Sequence, residues 1–376
     1  MTTFVLGAPL GAPSAERVHL DLGPDHPSRS GLVEIVCRTD AGVIVGAEIR
    51  PGAGHRSAEK LFEVRDYRQV LALANRHDWQ APFVGELGVV LTIESALHLV
   101  PPPRATRLRT VLAEHARLHS HLGSLSVVPA VLAPDAVLAR AVHDVRERLR
   151  EQLADLTGNR VHPMLCRLGG LAADADSSWL DADAELARNI APLGTLLREA
   201  ITGADLPRGV AVVDAETART YGVTGPAARA AGMETDLRRT DPAYAELVTL
   251  LPPPVADPAG DAVARLLVLA DEVSSTAALL EAAVEATSRT DGPVSVKLPK
   301  VLRVPVGDTY HAVEAPLGRA GWWLVSRGEK VPWRLKLRTP SFANVAALES
   351  VLPGTRTSDL ALAVASVPYV AGDLAK

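Results

Sequence analysis

The pattern of apolar and polar positions divides the chain into a strand-forming start, a helical middle and a strand-forming end. Two strand-like runs flank a turn at residues 40–42, which predicts a β hairpin within 17–50. Apolar residues recurring every three or four positions predict a helical part over 58–290. After it, residues 295–342 predict strands joined by turns, and a short terminal helix follows.

Within the helical part, proline clusters and capping residues separate the elements. The spacing predicts helices at 105–125, from Pro134 to about 156, at 181–201 and at 261–286, and a short one near 358–365. Residues 1–16, rich in Ala, Gly and Pro, predict a loose tail. We therefore expect a single α+β domain over 17–376, in which the two β ends pair around a central helical bundle.

The composition adds a hint about partners. The chain has 376 residues and is 47% hydrophobic, but no long uninterrupted apolar stretch predicts a membrane span. The first residues also lack the pattern of a signal peptide. An apolar chain of this kind is expected to bury surface against partner subunits, although a large core explains the composition equally well.

Charge and cysteine content exclude several classes. The net charge is −5 without a dense basic run, which argues against a nucleic-acid partner. The two cysteines, Cys37 and Cys166, lie far apart, which excludes a disulfide framework and an iron–sulfur cluster ligated by this chain alone. A reducing compartment is expected.

The run 310–342 carries the most specific motifs. It contains E-A-P-x-G-x-x-G-x-x-L-V-S from Glu314 to Ser326, then R-x-K-x-R-x-P-S-F from Arg334 to Phe342. These motifs resemble the C-terminal signature of the hydrogenase-like D-type subunits of NADH-quinone oxidoreductase, respiratory complex I, and weaker matches reach back to Gly23.

That resemblance implies a fold like the [NiFe]-hydrogenase large subunit and a place in a multisubunit assembly. The expected partners are the iron–sulfur (B-type) subunit and the C-type subunit, with the chain peripheral on the cytoplasmic side of the cell membrane. Quinone would bind in the assembled complex, whereas the iron–sulfur cluster, NADH and FMN would belong to partner subunits. No catalytic residue and no metal ligand is assigned to this chain.

The resemblance also implies quinone-pocket positions in a G-P-x-H-P-S turn, in a D-R-x-D-Y-like segment and after a long helix. They are His26, Ser28, Ser30, Gly31, Asp78, Trp79 and Val131. Ser30 stands for the family's histidine, Trp79 for its tyrosine and about Val131 for its aspartate. Since all three changes affect one pocket, we expect an altered or absent quinone site. His26 could equally be a turn histidine that caps backbone groups.

A second set of positions is implied at the interface with the partner subunit or its cluster. They are His55, Arg56, Glu59, Lys60, Arg76, Glu86, His121, Arg160 and Arg167. Ser57 replaces a family glycine between them. The simpler alternative is that Arg56 and Glu59 form an ion pair at a helix start.

Three functional hypotheses follow. The first is a D-type subunit that shapes a quinone pocket, and the second is a non-catalytic scaffold derived from that family. The third is a stand-alone hydrolase or metalloenzyme that uses His115, His119 and His121 on one helix, the first two of them four residues apart. Without an H-E-x-x-H motif, solvated or interface histidines are the favoured interpretation. Because Gly-rich dinucleotide motifs are absent, we do not expect this chain to bind NADH.

Overall fold

The computed structural model describes residues 33–52, 54–256 and 258–376, and before them two strands, Thr2–Leu6 and Arg17–Leu20. Four strands form an N-terminal sheet in the order β2-β1-β3-β4: β1 Thr2–Leu6, β2 Arg17–Leu20, β3 Val33–Asp40 and β4 Val43–Pro51. β1 lies within the segment predicted to be a loose tail. This correction has a local cause, because the run TTFVL is rich in β-branched and aromatic residues.

The predicted hairpin is confirmed as β3 and β4, which pair antiparallel with Asp40 opposite Val43. Ala41 and Gly42 form its two-residue turn, with φ angles of 45° and 80°. Positive φ at both positions matches the right-handed twist of the flanking strands.

Nine α-helices and two short strands make up the described central part of the chain. They are α1 Ala58–Phe62, α2 Val70–Ala74, α3 Pro82–Leu97, α4 Pro103–Leu125, α5 Ala136–Thr157, β5 Cys166–Arg167, β6 Gly170–Leu171, α6 Ser177–Gly203, α7 Ala215–Tyr221, α8 Pro226–Ala230 and α9 Ala262–Ser288. Helix α6 begins earlier than predicted because the Asp176 carboxylate caps it at Trp179 N. α4, α5, α6 and α9 pack together as the predicted central bundle. Among the described residues, no helix is both long and apolar enough to cross a bilayer.

The C-terminal part holds the second main sheet. Its elements are β7 Gly307–Ala315, β8 Gly318–Ser326, β9 Arg334–Arg338, α10 Pro340–Val351, α11 Leu360–Ser366 and α12 Ala371–Leu374. The three strands are antiparallel in the order β7-β8-β9, and α3 packs against β7 and β8. Helix α10 was not predicted from the sequence.

The two ends of the chain meet, but not as the paired strands we expected. The N-terminal and C-terminal sheets are separate among the described strands. The loop after α10 joins them instead: Gly354 N donates to Ile44 O at 2.8 Å, and Ile44 N donates to Thr355 O at 2.9 Å. The Glu349 carboxylate also accepts a hydrogen bond from Ile49 N. A helix and its following loop therefore mediate the contact.

Candidate functional site

The segment between α2 and α3 contains Asp78, which is buried beside the C-terminal helix α12. Its Oδ1 accepts hydrogen bonds from Gln80 N at 2.9 Å and Ala81 N at 3.0 Å. Asp373 of α12 is a second buried carboxyl group, and Ser341 Oγ donates to its Oδ2 at 2.9 Å. Burial raises the pKa of Asp78 to about 6. Burial, together with the negative charge of Asp78, raises the pKa of Asp373 well above its ordinary value, despite the counteracting charge of Lys376.

These two groups form what we call the carboxyl pair, Asp78 and Asp373. Two like charges in a buried place cannot both ionise cheaply, so the pair retains a proton over part of the physiological range. Asp373 was not among the residues expected at the site. Its side chain reaches Asp78 only through tertiary packing, and no sequence spacing connects the two positions.

Trp79 follows Asp78 and is half-buried. Its indole Nε1–H donates to Arg76 O at 3.1 Å, so its single donor is already used. Gly372 lies against the same segment: a Cβ added there would come within 2.2 Å of His77 O and 2.8 Å of the indole. Glycine at this position lets the C terminus approach Trp79 closely.

Three exposed arginines of the expected interface lie around one seam of the surface, which we call the basic edge: Arg56, Arg76 and Arg167. His162 Nδ1 bonds Asn75 O at 3.1 Å across this seam. Burial lowers the pKa of His162, and the charges of Arg76 and Arg56 lower it further. Arg167 donates to Met164 O and Cys166 O next to it.

The segment at the start of α1 is attached to the C-terminal sheet. The Glu59 carboxylate accepts from Arg334 at 2.9 Å and from Leu337 N at 3.1 Å, and Lys60 pairs with Glu63 at 2.7 Å. The alternative of an Arg56–Glu59 ion pair is therefore wrong. His55 and Arg56 remain exposed.

Ser57 occupies the left-handed region at φ 53°. In the resembling family this position is glycine, and the conformation gives the reason.

Two residues expected at the interface lie inside the chain. Glu86 is fully buried and accepts from Asn75 Nδ2, Met164 N and Cys166 N at 2.8–2.9 Å. His121 is also fully buried, and its Nε2 bonds Pro316 O at 2.8 Å. Direct contact with a partner is not open to these side chains in this conformation.

Charged residues that are distant in sequence come together in a buried ionic network. Its members are Glu114, Arg117, Arg229, Asp236, Arg238, Glu272 and Glu314, all at most 9% exposed. Arg229 bonds Glu272 at 2.6 Å and Glu314 at 2.8 Å, while Arg238 bonds both Asp236 and Glu114.

The remaining bonds link this network to the bundle and the sheet. Arg117 pairs with Glu114 at 3.0 Å and also donates to the backbone oxygens of Glu314 and Ala315. Tyr244 Oη donates to Glu114 at 2.7 Å. Three guanidinium groups thus face four carboxylates at close range, and the network joins α4, α8, α9 and β7.

His115 and His121 are buried, so the expectation of solvated histidines on this helix is wrong for these two residues. His115 is buried; its Nδ1 lies 2.7 Å from Asp183 Oδ1, and its Nε2 lies 2.9 Å from Leu149 O. Burial opposes the cation, but the charge of Asp183 and the hydrogen bonds to Asp183 and Leu149 together outweigh it and raise the pKa of His115. Because a carbonyl only accepts, Nε2 carries a proton. When the ring is protonated, the His115–Asp183 pair is neutral as a whole.

The pKa of His119, in contrast to that of His115, is lowered. Its Nδ1 donates to Gln80 O at 2.8 Å and its Nε2 accepts from Arg150 Nε at 3.1 Å. Burial, with the charges of Arg146 and Arg150, lowers its pKa to about 3, so the ring is neutral. The ring nitrogens of His115 and His119 are therefore engaged, which leaves no free metal ligand on either ring.

A cavity of about 250 Å³, which we call the bundle cavity, lies between Trp79 and the helix histidines. Apolar side chains form most of its wall: Trp79, Phe83, Leu112, Ala116, Leu149 and Leu153. His115, His119, Arg150 and Arg160 also line it. Arg160, expected at the partner interface, thus lies at this cavity and bonds Glu147.

The remaining expected positions are dispersed. His26, Ser28, Ser30 and Gly31 lie outside the described residues. Val131 is 40% exposed in a π-helical turn, Val128–Leu132. The nearest following acid, Asp135, caps α5 at Val137 N and Leu138 N and so does not replace the family's aspartate.

The donor set for metals is poor. Within the part of the chain that the structure describes, no group of three or more His, Cys, Asp or Glu side chains could hold a metal ion. Cys37 and Cys166 are free and buried. Burial raises the pKa of Cys166 to about 12, which disfavours the thiolate that an iron–sulfur cluster requires.

Comparison with known proteins gives a consistent result. The family model described as respiratory-chain NADH dehydrogenase, 49 kDa subunit, matches residues 137–303 and 295–376. The second of the numbered D-type subunits of NADH-quinone oxidoreductase from Salinispora tropica is 43% identical over 361 residues, covering 95% of this chain and 92% of that protein.

Further relatives extend across bacteria. The D-type subunit numbered 1 of Streptomyces coelicolor is 39% identical, covering 100% of this chain and 98% of its own length. The D-type subunit of Carboxydothermus hydrogenoformans is 32% identical, covering 96% and 98%. Numbering of this kind is typical of paralogues. The chain belongs to the D-type subunit family of NADH-quinone oxidoreductase, the 49 kDa subunit family of the respiratory chain.

Proposed function

We propose that this chain is the D-type subunit of a complex I-like NADH-quinone oxidoreductase and shapes a quinone pocket with altered headgroup residues. It would dock to a B-type iron–sulfur subunit and a C-type subunit, at the cytoplasmic side of the membrane. NADH, FMN and the clusters would be held by partners. Quinone would bind beside Trp79 and the Ser30 turn in the assembled complex.

The observation that carries this proposal is the grouping at one side of the molecule. The carboxyl pair lies beside Trp79, whose indole reaches Arg76 O of the basic edge. Exposed arginines suit an interface with a cluster-bearing subunit, because their positive charge favours the reduced cluster. A buried carboxyl group that retains a proton could supply one near a reduced quinone.

Two observations favour the alternative, a non-catalytic scaffold. The only hydrogen-bond donor of Trp79 is bonded to Arg76 O, so the residue in the tyrosine position offers no donor to a headgroup. His121 is neutral, buried and bonded to Pro316 O, with its pKa lowered to about 4 mainly by burial. A D-type body without proton donors at the headgroup would retain docking and lose quinone reduction.

Docking is tested by co-expression with a B-type iron–sulfur subunit. Arg56→Glu with Arg76→Glu should weaken the association about tenfold or more, because two cations become anions at the interface. Arg188→Glu, on the exposed surface of α6, is the matched control and should leave association unchanged. If the wild type, the double variant and the Arg188→Glu control all associate equally with the B-type subunit, the proposed docking face is wrong.

Quinone chemistry is tested in the assembled complex. If the rest of the pocket persists, Ser30→His with Trp79→Tyr should raise quinone reductase turnover, because it restores a donor near each headgroup oxygen. Binding of a quinone analogue should be detectable before the change. Undetectable binding, with unchanged turnover in the double variant, would leave the scaffold role as the function.

A further inference from the structure

The bundle cavity has the size of a ligand with one ring. Its volume is about 250 Å³, whereas an apolar cavity of about 150 Å³ can hold benzene. The indole of Trp79 and the ring of Phe83 offer aromatic surface, and Leu112, Leu149 and Leu153 complete an apolar wall. An apolar cavity of this shape favours a flat ring with a small substituent.

The charges at the cavity are ordered from inside to outside. On the inner wall, His119 is neutral and the charge of His115 is balanced by Asp183. At the rim, Arg150 and Arg160 share the single carboxylate of Glu147. Two cations against one anion leave a net positive rim.

Both rim arginines are suitably placed for an anion. His119 Nε2 accepts from Arg150 Nε and so orients that guanidinium group at the rim. The side chain of Arg160 is 51% exposed, which marks the open side of the cavity. Within the described chain, Glu147 is the only hydrogen-bond partner of the Arg160 side chain, so further N–H groups remain for a ligand.

We propose that the bundle cavity binds a single-ring aromatic carboxylate, with the ring against Trp79 and the carboxylate at Arg160. This site shares Trp79 with the proposed quinone pocket, but it lies among α3, α4 and α5 of this chain and does not need a partner subunit. A neutral aromatic compound of the same size cannot form an ion pair with Arg160. A protonated aromatic amine is repelled by the positive charge of the rim.

Calorimetric titration of the full-length chain with benzoate tests this proposal, with benzyl alcohol and benzylamine as probes of the same ring size. We expect one benzoate per chain, bound about tenfold more tightly than either comparison probe. Added salt should weaken benzoate binding, because the rim is partly exposed. Equal binding of all three probes, or no benzoate binding at millimolar concentration, would overturn the proposal.

Two variants locate the ligand. Arg160→Gln should weaken benzoate about tenfold, whereas Arg148→Gln, an exposed neighbour of the rim on α5, should not change it. Ala116→Leu fills the cavity and should abolish binding while the circular dichroism spectrum is retained. If Ala116→Leu does not fold, comparison of Arg160→Gln with Arg148→Gln still tests the proposal. Equal effects of these two variants on benzoate affinity would show that the ligand binds elsewhere.

Discussion

The buried ionic network and the carboxyl pair are both polar and buried, yet they differ in charge balance. In the network, each carboxylate lies within hydrogen-bonding distance of a guanidinium group. In the carboxyl pair, Asp78 and Asp373 oppose each other, and the available cation, Lys376, compensates them only in part. Carboxylates that are each paired with a guanidinium group stay ionised and connect elements, whereas the carboxyl pair, which has no such partner, can exchange a proton.

This difference separates carboxyl groups with a fixed charge from carboxyl groups that can retain a proton. The network includes Glu314, from the C-terminal motif that carries the family resemblance, together with Arg229 and Arg238. The carboxyl pair lies beside Trp79, a position at which we expected a departure from the family.

The largest expected effect is in the network. Arg229→Met leaves Glu272 and Glu314 buried without their main partner and should lower the free energy of unfolding by about 3–5 kcal/mol. Arg188→Met, which breaks the exposed pair with Glu281, should cost about 0–1 kcal/mol. Urea denaturation of both variants measures the contrast, and similar losses would show that the network is not a stabilising unit.

The next effect concerns the contact between the C terminus and Trp79. Gly372→Ala places a methyl group against His77 O and the indole and should lower stability by about 1–3 kcal/mol. Gly203→Ala, where nothing lies within 4 Å of the added carbon, should leave stability unchanged or raise it by about 0.5 kcal/mol. Thermal unfolding compares them. Equal melting temperatures would mean that α12 does not pack tightly on this segment.

The carboxyl pair predicts a dependence on pH. In the folded chain the pKa of Asp78 is about 6, against an ordinary value of 3.8. A raised pKa contributes stability below pH 4, and this contribution is lost as the pH rises through about 6. Asp78→Asn keeps the acceptor for Gln80 N and removes the charge.

The variant should therefore match the wild type near pH 4 and exceed its unfolding free energy by about 1–2 kcal/mol near pH 7.5. Asp144→Asn, at an exposed pair, is the control and should change little at either pH. Denaturation between about pH 4 and pH 7.5 measures this difference in unfolding free energy. A constant difference between Asp78→Asn and the wild type would contradict the shared-proton interpretation.

The smallest effect tests the left-handed backbone of Ser57, next to the basic edge. Ser57→Gly removes the strain of φ 53° and should raise the unfolding free energy by about 0.5 kcal/mol, since part of the gain is lost to unfolded-state entropy. Ser275→Gly, inside α9, should instead lower it by about 0.5–1 kcal/mol. Chemical denaturation distinguishes the signs, and a loss at Ser57 would show that its side chain matters more than its backbone.

Much of the fold was predictable from local pattern. The hairpin at residues 40–42 and the four long helices are marked by turn residues, caps and spacing that act over a few positions. Helix α10 and strand β1 were missed because short apolar runs are ambiguous and tertiary contacts decide them. Motif resemblance supplied the family, which the comparisons confirm.

The site was predictable only in part. Asp78, Trp79 and the exposed arginines were named in advance, but the burial of Glu86, His115 and His121 was not. Asp373 and Asp183 were missed, because each acts on a residue far away along the chain.

By itself the sequence determined the family and the helical centre, because these depend on residue identity and short-range periodicity. Only the tertiary structure decided which buried carboxyl groups are paired with a guanidinium group. Charge compensation and burial depend on distances between elements: Arg229 finds Glu272 and Glu314, while Asp78 finds Asp373. Carboxyl groups such as Glu272 and Asp78 behave alike in the unfolded chain. In the folded chain their neighbours differ, so the pKa of Glu272 is lowered whereas that of Asp78 is raised.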